Sequence, residues 1–385
     1  MNCESFTHFV HLFGLSSKTE ALHAKKSPNH CSMKQLAILV GFLFLCSGNL
    51  MAQEYVPTFE DTLEVYEGLF FKEAPLELTL KLDLKQLQRT RRDEKYQDAE
   101  MVCHVNESFE LAHPVRVKTR GNFRRDNCTY PPFWLNIRHA GIEADSLRDV
   151  VRMKMVVRCR DSRQYDPYIL REYLVYKILN IITPFSYRVR LIRLTYIDTG
   201  RKNRETEDWA FLIEPDELME KRLNGRMIKS DHLSMRTVNP HVMNEVAMFQ
   251  YMIGNGDYSV TGRHNLRIIA VEDPDQPRGF IVVPYDFDYT GLVNAHYAVP
   301  GEGLPIHSVR ERYFLGPCRN EGAYEEILEE FRTDYEPIIH YLETFEYLAE
   351  EEREDMIEYI KDFYRMAGND DFIRRNILST CRSYD

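Results

Sequence analysis

Several motifs that mark common protein classes are missing from this sequence. It has no CxxC pair and no histidine-rich cluster, so nothing in it points to a zinc site. It contains neither GxGxxG nor GxxxxGKS/T, so a dinucleotide-binding fingerprint and a P-loop are both absent. It also lacks GxSxG, HRD and DFG, which excludes the usual serine-hydrolase and eukaryotic-type kinase signatures.

Basic residues are in the minority. The 385 residues include 49 Lys and Arg against 60 Asp and Glu, which gives a formal net charge of −11, and there is no basic tail. Nucleic-acid binding depends on neutralising phosphates with basic side chains, so we expect no nucleic-acid partner. With 44% hydrophobic and 28% charged residues, the composition is that of a globular protein of one or two domains.

No apolar run reaches the roughly 20 residues that a bilayer-spanning helix needs. The apolar run at residues 36–46 follows Met33 and Lys34, and Ala52 stands before Gln53. This pattern is typical of a secretory signal peptide, and a membrane anchor is the alternative interpretation. We therefore predict a non-native extension at residues 1–32, a signal peptide at 33–52 and a protein exported to the periplasm or beyond the cell, with no stable membrane anchor.

Cleavage after Ala52 leaves 333 residues, and the loss of four lysines and two glutamates changes the net charge from −11 to −13. Five cysteines remain, and an exported protein can oxidise them. The first predicted bridge is Cys103–Cys128, because the chain between them resembles a β-hairpin. An odd number leaves at least one thiol outside any bridge within the chain.

Hydrophobic periodicity divides the chain into two parts. Leucines alternate with polar residues at 76–84, and residues 150–157 and 189–197 also alternate, which predicts strands. Helical spacing predicts helices at 167–182, 215–223 and 239–253 and from 322 onward, and a hairpin at 266–271 and 280–283. The sequence thus predicts an α+β fold with a boundary at residues 214–240.

The most informative stretch runs from residue 254 to residue 288. It places Asp257 in a loop after a helix, Asn265 at the start of the hairpin, and Asp286 and Asp288 at its end. One carboxylate is then available to orient a hydroxyl, while an amide and two carboxylates suit Mg²⁺, which prefers oxygen ligands. Each piece alone is also typical of an ordinary turn, so the prediction depends on the combination.

The first half supplies candidate cations. Lys154 lies on a predicted strand that is followed by a helix carrying Glu172, and a strand lysine paired with a helix glutamate holds nucleotide phosphates in kinases. Lys118 is the competing lysine. The turn Arg120-Gly121-Asn122 is a candidate loop over the phosphates.

These segments together resemble the CotH family, the spore-coat-protein-H type of atypical secreted kinase-like proteins. The resemblance rests on VKTRGNFRR (117–125), MKMVVRCRDSRQYDPYILREYLVYKI (153–178), the strands at 188–218, and the pair GNGDYSVTGRHN and VPYDFDYTG. It implies a two-lobed protein kinase-like fold, with a lead-in at 53–73, a β-rich nucleotide lobe at 74–214 and a helical catalytic lobe at 215–385.

The resemblance also assigns roles to single residues. It implies that Asp257 faces the phosphoryl acceptor, that Asn265 and Asp286 bind the metal with support from Asp288, and that Glu214 borders the adenine. By position, Lys154 and Glu172 become the phosphate-binding pair. Family members usually carry a Lys-Lys pair after the Arg-Gly-Asn turn, whereas this chain has Arg124-Arg125 and no lysine there.

Two functions follow from these observations. The first is an exported kinase that uses ATP with Mg²⁺ or Mn²⁺ and transfers the γ-phosphate to a Ser or Thr hydroxyl of an envelope or secreted protein. The alternative is a catalytically weak or inactive kinase-like module that binds a partner at the cell envelope.

Overall fold

The computed structural model describes residues 66–93, 95–106, 109–121, 123–229, 235–271 and 279–383. The predicted extension, the signal peptide, most of the lead-in and Asn122 lie outside these residues. In the described residues, no helix is long and apolar enough to cross a membrane. The mixture of helices and strands confirms the predicted α+β class.

In the described part of the chain, seven strands form a closed barrel in the order β1-β2-β3-β4-β5-β7-β6. Their bounds are β1 Leu76–Leu82, β2 Gln97–Asn106, β3 Phe109–Thr119, β4 Phe133–Asn136, β5 Arg152–Val157, β6 Val189–Asp198 and β7 Arg204–Ile213.

The first strand explains both the barrel core and its closure. Leu76, Leu78, Leu80 and Leu82 are buried in the barrel core, since alternate residues of a strand point to one face. The strand pairs antiparallel with β2 and parallel with β6. The two pairings remove the free edges that an open sheet would expose. Sequence periodicity predicts the strand but not this closure.

Seven α-helices and a second sheet accompany the barrel in the described residues. The helices are α1 Leu84–Arg89, α2 Phe123–Asn127, α3 Asp166–Ile182, α4 Asp216–Arg222, α5 Pro240–Met252, α6 Glu321–Thr344 and α7 Glu350–Ala367. The second sheet has the order β10-β9-β8, with β8 Gly225–Met227, β9 Leu266–Val271 and β10 Phe280–Pro284. The predicted helix at 167–182 and the antiparallel pairing of the strands predicted at 266–271 and 280–283 are thereby confirmed.

Helix α3 lies between the barrel and the other helices. Its apolar residues, among them Tyr173, Leu174 and Ile178, belong to a core that also contains Leu191 and Phe211 of the barrel strands. The helix is buried on most sides, and Glu172 is only 1% exposed. A charged side chain is rarely buried to this degree unless it has a partner or a role.

The disulfide prediction was wrong. Cys128 bonds Cys159, Cys318 bonds Cys381, and Cys103 is a buried free thiol. Cys103 belongs to the barrel core on β2. Cys128 follows α2 instead, next to the end of β5, where Tyr130 N donates to Cys159 O at 3.0 Å. Burial raises the pKa of the Cys103 thiol to about 11, which keeps it protonated and unreactive.

Candidate functional site

A cleft of about 400 Å³ lies between the barrel and the β9–β10 hairpin. Seven of the residues predicted from sequence line it: Arg120, Gly121, Lys154, Asp257, Asn265, Asp286 and Asp288. Sequence reasoning did not assign the remaining lining residues: Phe123, Arg124, Pro132, Trp134, Arg263, His264, Arg267, Tyr285 and Tyr289.

The charge of the cleft is opposite to that of the chain. Its lining carries five cationic side chains and three carboxylates, although the whole chain has a net charge of −11. Cationic side chains gathered in a concave, partly desolvated site attract anions. The grouped carboxylates and the amide offer the oxygen ligands that a hard divalent cation prefers.

Asp257 is held by the residues that follow it. Asn265 Nδ2 donates to Asp257 O at 2.8 Å and to Oδ2 at 3.1 Å, and His264 Nε2 lies 2.9 Å from Oδ1. Asp257 N donates to Asn255 Oδ1 at 2.8 Å. Asn265 has φ +53°, a left-handed conformation that asparagine tolerates better than most residues. The loop therefore fixes the Asp257 carboxylate and the Asn265 amide against each other.

The end of the hairpin brings Asp286 and Asp288 to the same place. Tyr285 N donates to Asn265 O at 3.0 Å, which joins the two predicted metal-binding segments. Asp286 has φ +67°, and its N donates to Tyr176 Oη of α3 at 2.9 Å. Strained backbone of this kind concentrates at functional sites because the surrounding contacts must maintain it.

The predicted pair of Lys154 with Glu172 is not formed. Glu172 contacts Arg124 instead, with 3.3 Å between Oε2 and Nη1, and the same Nη1 lies 3.8 Å from Asp288 Oδ2. Arg124 Nη2 also donates to Val157 O. Arg124 thus links Glu172 to Val157 at the end of β5, three residues along the strand from Lys154.

Lys154 occupies a separate part of the cleft. Its register on β5 places it beside Trp134 of β4, and its Nζ lies 3.4 Å from Asp216 Oδ1. The Nζ atom also lies 5.1 Å from the Tyr187 ring centroid and 5.2 Å from that of Tyr285. Burial lowers the pKa of Lys154 to about 8, although Asp216 opposes the shift.

Lys118, the competing lysine, lies on β3 with its Nζ 5.4 Å from the Tyr96 ring centroid. It is half-buried and is not among the residues that line the cleft. Of the two candidate lysines, Lys154 is therefore the one that faces the cleft.

Glu214 is not brought to the cleft. It is 2% exposed, and its carboxylate accepts hydrogen bonds from Arg188 N at 3.0 Å and from Arg222 Nε and Nη2 at 3.0 and 2.8 Å. It borders a separate, mainly apolar pocket of about 300 Å³. Asp216, two residues later, is the acidic residue of this segment that reaches Lys154 and, at 3.8 Å, Arg267.

Burial raises the pKa of Glu172 to about 8, with Arg124 opposing the shift and Asp288 and Asp286 adding to it. Burial also raises the pKa of Asp288 to about 6; Asp286 adds to this shift, and Arg124 and Tyr297 oppose it. These shifts mark a place where carboxylates are closer together and drier than on an ordinary surface.

The described residues also contain a second groove and a cluster of possible metal ligands. A groove of about 520 Å³ contains Trp209 and Tyr347 but none of the residues predicted from sequence. The ligand atoms of His241, Glu326 and Glu330 lie within 4.8 Å of one another, and all three residues are exposed. Neither place combines buried charge with strained backbone, so the cleft is the stronger candidate for chemistry.

Comparison with known proteins adds little. No protein-family model matches the chain, and no curated protein matches it. The fold is similar to that of the Helicobacter pylori proinflammatory kinase CtkA, with 9% sequence identity and a TM-score of 0.32 over 69% of this chain and 87% of that one. A likeness of this strength does not assign a function to the chain.

Proposed function

We propose that this protein is a two-lobed, kinase-like phosphotransferase that uses ATP with Mg²⁺ or Mn²⁺. The acceptor would be a Ser or Thr hydroxyl on an envelope or secreted protein. The observation that carries the proposal is the meeting of Asp257, Asn265, Asp286 and Asp288 with five cationic side chains in one cleft of an acidic protein. Oxygen ligands for a hard cation and cationic groups for phosphates are both required for phosphoryl transfer.

The residues of the cleft fit a metal–nucleotide complex. Asn265 and Asp286 would hold the metal with support from Asp288, and the bound metal would neutralise phosphate charge. Arg120, Arg124 and Lys154 would add cationic stabilisation of the phosphates. Gly121, in the turn after β3, has φ +80°, a backbone conformation that other residues rarely adopt. Because glycine has no side chain, the backbone of this turn could approach the phosphates closely.

Asp257 would orient the acceptor hydroxyl and take its proton. The hydroxyl oxygen would form the new bond to the γ-phosphorus while the bond to the bridging oxygen breaks, and ADP leaves with that electron pair. His264 and Asn265 fix the two Asp257 oxygens in place, and each oxygen has a further lone pair for the proton.

Three forms of the protein test this function. We expect Mg-ATP to stabilise the wild type against heating, by about 2.7 kcal/mol at a concentration of 100 Kd, and labelled γ-phosphate to be transferred to protein. Asp257→Asn should keep the stabilisation but transfer roughly 10²–10⁴-fold more slowly, since it lacks the proton acceptor. Asp286→Asn should lose both the stabilisation by Mg-ATP and the transfer of phosphate. Thermal shift and label incorporation are the measurements.

The matched control is Asp145→Asn, a substitution of the same kind at an exposed surface position, which should behave as the wild type. A wild type that gains no stability from Mg-ATP would refute the proposal. Stabilisation without transfer, under every acceptor tried, would favour the alternative of a catalytically inactive kinase-like binding module.

We propose further that the protein is exported. The signal-peptide pattern at residues 33–52 and two disulfide bonds support this, because disulfides persist in oxidising compartments. Amino-terminal sequencing of protein recovered outside the cytoplasm should begin at Gln53. A start near Met1 in the recovered protein would contradict both the cleavage site and the proposed extension.

A further inference from the structure

We propose that Glu172 is a ligand of a second divalent cation, Mg²⁺ or Mn²⁺, held between α3 and the segment of Asp286 and Asp288. This inference rests on the proposed function, since the first cation would be the one at Asn265 and Asp286. Glu172 would then bind a metal ion, whereas the sequence predicts that it pairs with the phosphate-binding Lys154.

The first observation is an unsatisfied oxygen. Glu172 is 1% exposed, and within the described residues its Oε1 has no hydrogen-bond partner, while Arg124 contacts only Oε2. A buried carboxylate oxygen without a partner is costly, and native structures rarely keep one without a ligand, ion or water. A cation bound at Oε1 would remove that cost.

The direction of the side chain is the second observation. Tyr176 follows Glu172 by one helical turn, and residues four apart lie on the same face of a helix. Tyr176 Oη accepts the hydrogen bond from Asp286 N at 2.9 Å. The face of α3 that carries Glu172 is therefore the one turned toward the Asp286 and Asp288 segment.

Charge balance is the third observation. Glu172 Oε2 and Asp288 Oδ2 lie 3.3 and 3.8 Å from the same Nη1 atom of Arg124, so one guanidinium is shared between two buried carboxylates. Within the described residues Glu172 therefore shares its paired cation with Asp288, and a divalent cation at its Oε1 would supply the missing counter-charge.

The ligand chemistry selects the class of cation. Carboxylate oxygens suit Mg²⁺ and Mn²⁺, whereas softer metals prefer sulfur or imidazole ligands. Such a cation would approach the phosphates from the α3 side and would link the position of that helix to nucleotide binding. The competing interpretation is that Glu172 serves only to anchor Arg124.

Counting bound Mn²⁺ separates the two interpretations. The purified full-length protein is titrated with Mn²⁺ in the presence of ADP and followed by electron paramagnetic resonance. We expect the wild type to bind two Mn²⁺ ions and Glu172→Gln to bind one. Glutamine keeps an acceptor oxygen for Arg124, so a purely anchoring role predicts two ions in both proteins and would overturn the inference.

Two further proteins make the result decisive. Glu217→Gln, on the exposed surface of α4, should still bind two ions. If Glu172→Gln does not fold, Glu172→Asp takes its place. Aspartate keeps the charge but has a shorter side chain, so the affinity for the second Mn²⁺ ion should fall by at least about tenfold. Unchanged affinity there would also overturn the inference. If the wild type binds a single Mn²⁺ ion, this inference is refuted but the proposed metal site at Asn265 and Asp286 is not. If the wild type binds no Mn²⁺, both are refuted.

Discussion

Replacing Arg124 by methionine is expected to lower the free energy of unfolding by about 3–5 kcal/mol. Arg124 is 9% exposed, and its guanidinium is the cation nearest to the buried carboxylates of Glu172 and Asp288 in the described residues. Methionine preserves much of the side-chain volume but leaves those carboxylates uncompensated. Urea unfolding of the metal-free protein measures the loss, which is a large share of the 5–15 kcal/mol that stabilises an ordinary domain.

The neighbouring residue provides the control. Arg125 belongs to the same helix, has a side chain that is 25% exposed, and pairs with Asp126 beside it. Water and salt screen a pair of this kind, so Arg125→Met should unfold at nearly the wild-type urea concentration. If the two variants lose equal stability, the contacts of Arg124 with Glu172 and Asp288 contribute little, and the charge argument for this part of the cleft fails.

Arg124 and Lys154, two of the three cations on the barrel side of the cleft, differ in their partners. Arg124 contacts Glu172 and Asp288, next to the proposed metal ligands, whereas Lys154 contacts Asp216 among the rings of Trp134, Tyr187 and Tyr285. In the proposed function, Arg124 would stabilise phosphate oxygens next to the metal. Lys154, which lies among aromatic rings in another part of the cleft, would stabilise a different phosphate.

Sequence patterns predicted the parts of the site that are close together in the chain. Asp257, Asn265, Asp286 and Asp288 lie within 32 residues, and a hairpin between them is enough to bring them together. Turn residues and alternation encode that hairpin locally, so the sequence predicts its geometry without any knowledge of the distant chain. The same holds for α3, whose helical spacing is regular.

Contacts between distant segments were not predictable in this way. Arg124 and Glu172 are separated by 48 residues, and their contact depends on where α2 lies between β3 and β4. The parallel pairing of β1 with β6, which closes the barrel, joins Leu76 to Ile192. A strand pattern gives the face that is buried but not the partner strand, and a glutamate on a helix gives no indication of which cation will reach it.

The disulfide prediction failed for the same reason. The sequence predicts a hairpin between Cys103 and Cys128. That hairpin is formed by β2 and β3, after which the chain turns into α2 and places Cys128 beside Cys159. Disulfide connectivity depends on the tertiary path, and cysteine spacing alone does not determine it. The bridge that does form lies next to the Arg124 segment.

Removing the Cys128–Cys159 bridge is expected to weaken Mg-ATP binding as well as stability. Cys128 N donates to Arg124 O at 2.9 Å, and Cys159 lies two residues beyond Val157, whose carbonyl accepts from Arg124 Nη2. The bridge thus joins the two chain segments that position this guanidinium. We expect the double serine variant to bind Mg-ATP at least about tenfold more weakly, a loss of about 1.4 kcal/mol in binding.

The second bridge is the matched control for that experiment. Cys318–Cys381 ties the C-terminal segment to the chain before α6, where Cys318 N donates to Arg382 O, and neither cysteine lines the cleft. The two bridges join cysteines 31 and 63 residues apart, so loop entropy predicts a similar stability loss of about 4 kcal/mol for each. Urea unfolding of both double serine variants measures the loss of stability. Titration with Mg-ATP, at temperatures where both variants are folded, measures the effect on the positioning of Arg124. Equal loss of Mg-ATP affinity in the two variants would mean that the Cys128–Cys159 bridge acts only through global stability, and the proposed positioning of Arg124 would be refuted.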